Sequence, residues 1–144
     1  MQITVTPGRK IIGRLAKGDD LLAVLENCAK AHNIILGEVQ AIGAVSRARL
    51  GYYNQTERKY CFLELARPLE ILSLTGNISL KDGKPMVHAH ITLGDHEARA
   101  FGGHLAEGTL AFACEFMIQE YKSETQLVRQ MDEPTGLFLW PYEN

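Results

Sequence analysis

Met86-Val87-His88-Ala89-His90-Ile91-Thr92-Leu93-Gly94-Asp95-His96-Glu97-Ala98-Arg99-Ala100-Phe101-Gly102-Gly103-His104-Leu105 is the stretch on which the fold turns. Two strand-like runs, Met86 to Leu93 and Ala98 to Leu105, flank the polar group Gly94-Asp95-His96-Glu97, a pattern that predicts a β-hairpin. Side chains alternate along a strand, so His88 and His90 share one face. Register decides whether His104 joins them. A loop of three residues, Asp95 to Glu97, pairs Gly94 with Ala98, sets His88 opposite His104 and leaves His90 facing Gly102. A five-residue loop gives the same pairing, whereas a loop of four sends His104 to the other face.

Outward from the hairpin the pattern stays mostly β. Lys81-Asp82-Gly83-Lys84 is a turn, preceded by strand-like runs Tyr60 to Leu65 and Leu69 to Leu80 that Arg67-Pro68 separates. Ile34 to Tyr53 is a β region interrupted by Gly37, Gly43 and Gly51. Thr109 to Ile118 reads as a strand from the alternation of Phe112, Cys114, Phe116 and Ile118, and Leu137 to Trp140 closes the chain. At the N-terminal end, Ile3 to Val5 is a short strand stopped by Pro7-Gly8, and Arg9 to Leu15 a second one with a bulge at Gly13. One helix interrupts the strands. Gly18-Asp19-Asp20 offers its N-cap, Leu21, Leu22, Val24, Leu25, Cys28 and Ala29 repeat at helical spacing, and Asn33 ends it. One helix against many strands predicts an α+β fold, a single domain over residues 1–144 with a mainly antiparallel sheet.

Composition agrees with a folded domain. The 144 residues are 46% hydrophobic and 22% charged, and a chain this long buries about 70% of its unfolded surface. Disordered, coiled-coil and collagen-like classes are excluded. With 15 Lys+Arg against 17 Asp+Glu the net charge is −2, without the basic surplus of a protein that lives on DNA phosphates. Cys28, Cys61 and Cys114 are odd in number, widely spaced and set among apolar neighbours. They read as small buried hydrophobes in a reducing compartment. Met1 to Pro7 has no basic segment leading into an apolar core, and no run approaches the ~20 apolar residues of a membrane span. The expected location is cytoplasmic.

The histidines carry the chemistry. Neutral imidazoles are zinc ligands, and two strand neighbours with a cross-strand partner can hold one ion and leave a position for water. The same residues could instead be polar side chains on a solvated sheet face or partners of carboxylates. His32 reads as a charge at a helix C-terminus, His96 as a solvated turn residue, and Glu107 as a surface acid or a fourth ligand. No phosphate-binding glycine loop and no serine nucleophile elbow occurs. The basic groups Arg9, Lys10, Arg14 and Lys17, and Arg47, Arg49, Arg58 and Lys59, read as solvated strand faces or intersubunit ion pairs, with a nucleic-acid patch as the alternative.

Three segments taken in order, Leu69 to Ile78, His88 to Asp95 and Gly102 to Leu105, resemble the plants and prokaryotes conserved (PPC) domain, a likeness running from about Arg9 through Tyr121. The resemblance implies an α+β, mostly antiparallel fold assembled as a homotrimer, similar in fold to acetolactate decarboxylase. It implies a zinc site at His88, His90 and His104. Plant relatives carry an Arg-Gly-Arg-Pro AT-hook for DNA; this chain lacks it and resembles the stand-alone prokaryotic type, so DNA is a weakly supported partner. Besides DNA association in the sense of the plant relatives, two functions follow. One is a regulatory or ligand-binding PPC protein holding zinc. The other is a zinc enzyme acting on a small carbonyl or carboxylate compound, with Glu107, Glu115 or Glu64 as proton carrier and Arg47 or Arg49 holding the anion.

Overall fold

The computed structural model describes residues 2–141. In chain order the elements are β1 (Thr6–Leu15), α1 (Leu21–Ala31), β2 (Gly37–Asn54), β3 (Lys59–Leu65), β4 (Leu69–Lys81), β5 (Lys84–Gly94), β6 (Ala100–Leu105), β7 (Leu110–Lys122), β8 (Gln130–Asp132) and β9 (Leu137–Leu139). The first seven strands form one antiparallel sheet in the order β1-β7-β2-β4-β5-β6, with β3 also paired to β2. This is the α+β, mainly antiparallel architecture expected from the sequence. A small β8–β9 hairpin follows.

β2 organises the sheet. Its first half lies between β7 and β4, and its second half between β3 and β6. Because β6 returns to β2 through Leu50–Leu105 and Gly51–His104, strands β2, β4, β5 and β6 close into a ring. The glycines expected to interrupt this strand instead let it pass close to its neighbours. Gly43 has φ 129°, and a Cβ there would sit 2.2 Å from the Ala113 carbonyl oxygen. It lies at the register shift against β4, where the strand bends.

β1 also departs from expectation. It begins at Thr6 and runs through Pro7 and Gly8, while Ile3 to Val5 is not strand. Pro7 is tolerated because β1 is an edge strand, where a missing N–H need not break a ladder. The irregularity falls between Pro7 and Lys10 rather than at Gly13. Gly13 pairs regularly with Phe116, whose ring fills the space a Cβ would need.

The helix forms where the apolar spacing places it. The Asp20 carboxylate accepts from the Ala23 N–H at 3.0 Å as N-cap and from the Gly108 N–H at 2.6 Å, tying the helix start to the β6–β7 loop. His32 is the C-cap and Asn33 turns left-handed at φ 53°, ending the helix. Leu21, Leu25 and Ala29 are fully buried and meet Val39, Ile78, Ile91, Leu105 and Ile118 in one core. Of the cysteines, Cys114 is buried and Cys28 half-buried, but Cys61 is exposed. Among the described residues β3 pairs only with β2, and it stands largely in solvent, so the apolar neighbours of Cys61 in sequence do not enclose it.

Candidate metal centre and its cleft

The β5–β6 register places His90, rather than His88, opposite His104, and Thr92 opposite Gly102. The loop is five residues, Asp95 to Arg99, between the Gly94–Ala100 pair, centred on Glu97 rather than on His96 as the expected loops were. Asp95 sets that length. Its carboxylate accepts from the N–H groups of Glu97 and Arg99, both at 3.0 Å, and from Arg99 Nε at 2.9 Å. Ala98 takes φ 60° within the loop, so β6 starts at Ala100. The offset from the expected pairing is two residues, an even number, and so all three histidines stay on one face.

Their rings converge there. Centroids are 5.4 Å apart for His88 and His90, 5.0 Å for His88 and His104, and 5.7 Å for His90 and His104. One ligating atom from each lies within 4.8 Å of the others. In this register Gly102 faces Thr92 rather than His90, and Gly103 is the tight position. A Cβ at Gly103 would sit 2.8 Å from the Gly51 carbonyl oxygen, so its absence lets β6 reach β2 and sets His104 above Gly51.

Burial keeps His88 and His104 in the form that can ligate. The His88 pKa is lowered to about 4, first by burial and then by the charges of His104, Arg129 and His90. His104 is lowered by burial, His90 and Arg129. Nδ1 of His104 is buried with no hydrogen-bond partner among the described residues. An orphaned buried nitrogen is costly, and coordination to a cation would satisfy it. The residues therefore fit a metal by donor type, proximity and unmet bonding capacity.

The triad forms part of the wall of a cleft of about 1000 Å³ roofed by the β8–β9 hairpin. The Tyr60 ring lies 5.3 Å from that of His104. The cleft is lined by Arg58, Lys59, Lys81 and Arg129, and by no carboxylate among the described residues. Arg129 had no signal in the sequence. It is 7% exposed, and its neighbours Leu127, Val128 and Gln130 suggest only another short strand. Its place is set by the chain running back beside β4, with Leu80 N–H donating to the Leu127 carbonyl and Arg129 N–H to the Leu80 carbonyl.

The other residues singled out from sequence lie elsewhere. Glu107 is exposed in the β6–β7 loop, outside the cluster, and its charge acts on Glu26 of the helix. Arg47 and Arg49 are both paired with Glu64, and Arg49 stacks on Phe62 at 3.8 Å. Glu115 is exposed on β7 opposite Arg14. None of these five lines the cleft. His96 is exposed in the β5–β6 loop, and His32 caps the helix.

Fold and site together define a small antiparallel domain with a three-histidine cluster at the mouth of a cationic cleft. The chain belongs to the Plants and Prokaryotes Conserved (PCC) domain family, matched over residues 2–122. The segment that carries Arg129 and the β8–β9 hairpin lies beyond that match. A metal-containing protein of Archaeoglobus fulgidus superposes with a TM-score of 0.92 at 40% identity, over 99% of both chains. A plant- and prokaryote-conserved protein of Pyrococcus horikoshii does so at 0.92 and 35%, over 100% of this chain and 99% of that one. A candidate DNA-binding protein of Bacteroides thetaiotaomicron gives 0.85 and 26%, over 97% and 99%. Among curated proteins, the bifunctional protein GlmU of Synechococcus sp. (strain JA-3-3Ab) is 36% identical over 124 residues, 85% of this chain. The chain spans about a fifth (19%) of that relative's length.

Proposed function

We propose that this chain is a homotrimeric PCC-domain protein that holds zinc through His88, His90 and His104 and serves a ligand-binding, regulatory role. The observation that carries the reading is the convergence of three imidazoles, one of which has a buried, unpartnered Nδ1. The metal-containing Archaeoglobus fulgidus protein, 40% identical, supports it. Zinc fits an all-imidazole donor set, which suits several first-row metals less selectively than thiolate would. Assembly is supported by apolar side chains left in solvent on the sheet: Ile12 is 73% exposed, Ile42 57%, Leu72 56% and Phe112 54%. β1 and β3 are also uncovered edges, which proteins seldom leave open.

Metal analysis of purified protein beside a His88→Ala/His104→Ala double variant tests the site. About one zinc per chain in the first and none in the second is expected; equal content in both overturns it. Sedimentation equilibrium tests the trimer, and a monomer alone refutes it.

The open cleft beside the cluster favours a second reading, a zinc enzyme acting on a small carbonyl or carboxylate compound. Bound zinc would supply Lewis acidity and an acidified water. The chain's own part would be to hold the ligand against the histidines, since no carboxylate lines the cleft as proton carrier among the described residues. Turnover of small 2-oxo acids that disappears in the double variant would select this reading. DNA association is the weakest of the three. The net charge of −2 predicts no salt-sensitive duplex binding, and an affinity that falls steeply with salt would reverse that judgement.

A further inference from the structure

Arg129 is a buried cation whose side-chain hydrogen bonds among the described residues all go to neutral acceptors. Nε donates to Ser79 Oγ at 2.9 Å, Nη1 to the Phe138 carbonyl at 3.1 Å, and Nη2 to Asn77 Oδ1 at 2.7 Å. A guanidinium has five N–H donors in a fixed fork, so two remain without a partner among the described residues. No Asp or Glu lies within ion-pair distance of it there, although other arginines of the chain, among them Arg9, Arg47 and Arg99, have such a partner. Burying a charge without a counter-ion is expensive, and proteins normally pair it. Clamping the β8–β9 hairpin to β4 does not require charge; a neutral amide, with two N–H donors, could bridge two of these three acceptors.

Asn77 is the direct cross-strand partner of His88, so the bond from Arg129 to Asn77 sets the guanidinium beside the histidine cluster. Arg129 and the three histidines line one cleft, with Arg58, Lys59 and Lys81 as its other cations. The opening admits a small molecule, and the fork geometry matches a carboxylate or phosphate.

We propose that the cleft binds a small anionic metabolite, its carboxylate or phosphate group received by Arg129 and a neighbouring oxygen directed at the histidine-held metal. The inference rests on the metal reading for the second contact and on Arg129 alone for the first. It names the ligand class of the proposed function: a short-chain oxo- or hydroxy-acid, or a small phosphate ester.

Calorimetric titration of zinc-loaded and chelator-stripped protein with pyruvate, its uncharged amide pyruvamide, and inorganic phosphate tests it. Pyruvate or phosphate should bind with a millimolar or tighter Kd, at least tenfold more tightly than pyruvamide. Arg129→Gln should remove that preference while zinc content stays that of wild type. Where pyruvate gains from zinc and phosphate does not, the ligand is an oxo-acid; equal binding of phosphate selects the ester. If Arg129→Gln does not fold, Arg129→Lys carries the test, since it keeps the charge and loses the fork, and should retain only part of the preference. Anion binding unchanged in a folded Arg129→Gln protein overturns the proposal while the metal site stands. No preference for either anion over pyruvamide in wild type overturns it as well. Arg129-dependent binding of an AT-rich duplex in place of either small anion would assign the cleft to nucleic acid and likewise overturn it. Loss of zinc in the His88→Ala/His104→Ala variant with pyruvate binding at wild-type strength would overturn the contact to the metal. Zinc unchanged in that variant would instead remove the metal reading alone.

Discussion

Replacing Gly76 with Ala would strike the site through the backbone. Gly76 lies on β4 directly opposite Ala89 of β5, between His88 and His90 in sequence. A Cβ at that position would stand 2.4 Å from the His88 carbonyl oxygen and 2.6 Å from both Cα and Cβ of Ala89. These are mostly backbone atoms, and Ala89 is buried in the core, so no flexible side chain can yield. To restore ordinary contact β5 must withdraw from β4 by about an ångström, an overpacking strain of about 1–3 kcal/mol. Loss of the glycine's freedom in the unfolded chain returns about 0.4–1 kcal/mol, leaving a net destabilisation of about 1–2 kcal/mol. For a domain of this size that lowers Tm by roughly 3–7 °C. Because the strand that moves carries His88 and His90, zinc affinity should fall at least tenfold. Gly102→Ala is the control: its Cβ would meet nothing closer than 3.3 Å. Urea unfolding of the metal-free proteins and chelator competition for zinc measure the two effects. A Gly76→Ala protein with wild-type midpoint and zinc affinity would refute the reasoning.

The metal-free protein should be most sensitive to acid near the histidines. The folded pKa of His88 is lowered to about 4 from an ordinary 6.5, so between those values the unfolded chain binds more protons. Stability is then complete above pH 6.5 and falls as pH drops through 4, by about 1 kcal/mol once solvent screening of a half-exposed ring is counted. His88→Gln should flatten that part of the denaturation profile, and an unchanged slope would contradict the assignment. Asp20→Ala removes the helix N-cap and the bond to Gly108, and should cost about 1–2 kcal/mol, with Asp20→Asn recovering part of the loss. Thermal melts of the two variants decide that, and equal melting temperatures for Asp20→Ala and wild type would exclude the capping role. Arg9→Ala frees the Glu120 carboxylate, now held down to about 2 by hydrogen bonds from Arg9. Its pKa should return toward 4.5, readable by NMR titration.

Much of the site was legible because it depends on local periodicity. Alternation alone puts His88 and His90 on one face, and any even register shift keeps His104 with them, so the triad survived a two-residue error in pairing. The error came from Asp95, whose carboxylate, bonded to Glu97 and Arg99, centres the loop on Glu97 rather than on His96, which hydrophobic pattern does not reveal. The helix was equally legible, since Leu21, Leu25 and Ala29 recur at helical spacing behind an Asp that caps it.

What only the tertiary structure decided are contacts between residues far apart in the chain. Glycine spacing cannot show that β6 returns to β2, or that Gly103 is bare because the Gly51 carbonyl approaches it. Arg129 is the sharpest case. Its partners Asn77 and Ser79 lie about fifty residues earlier, and its burial depends on the β8–β9 hairpin folding over the histidine face. Periodicity records which side of an element meets the core; it carries no record of which distant element arrives there, and a buried cation takes its meaning from that arrival.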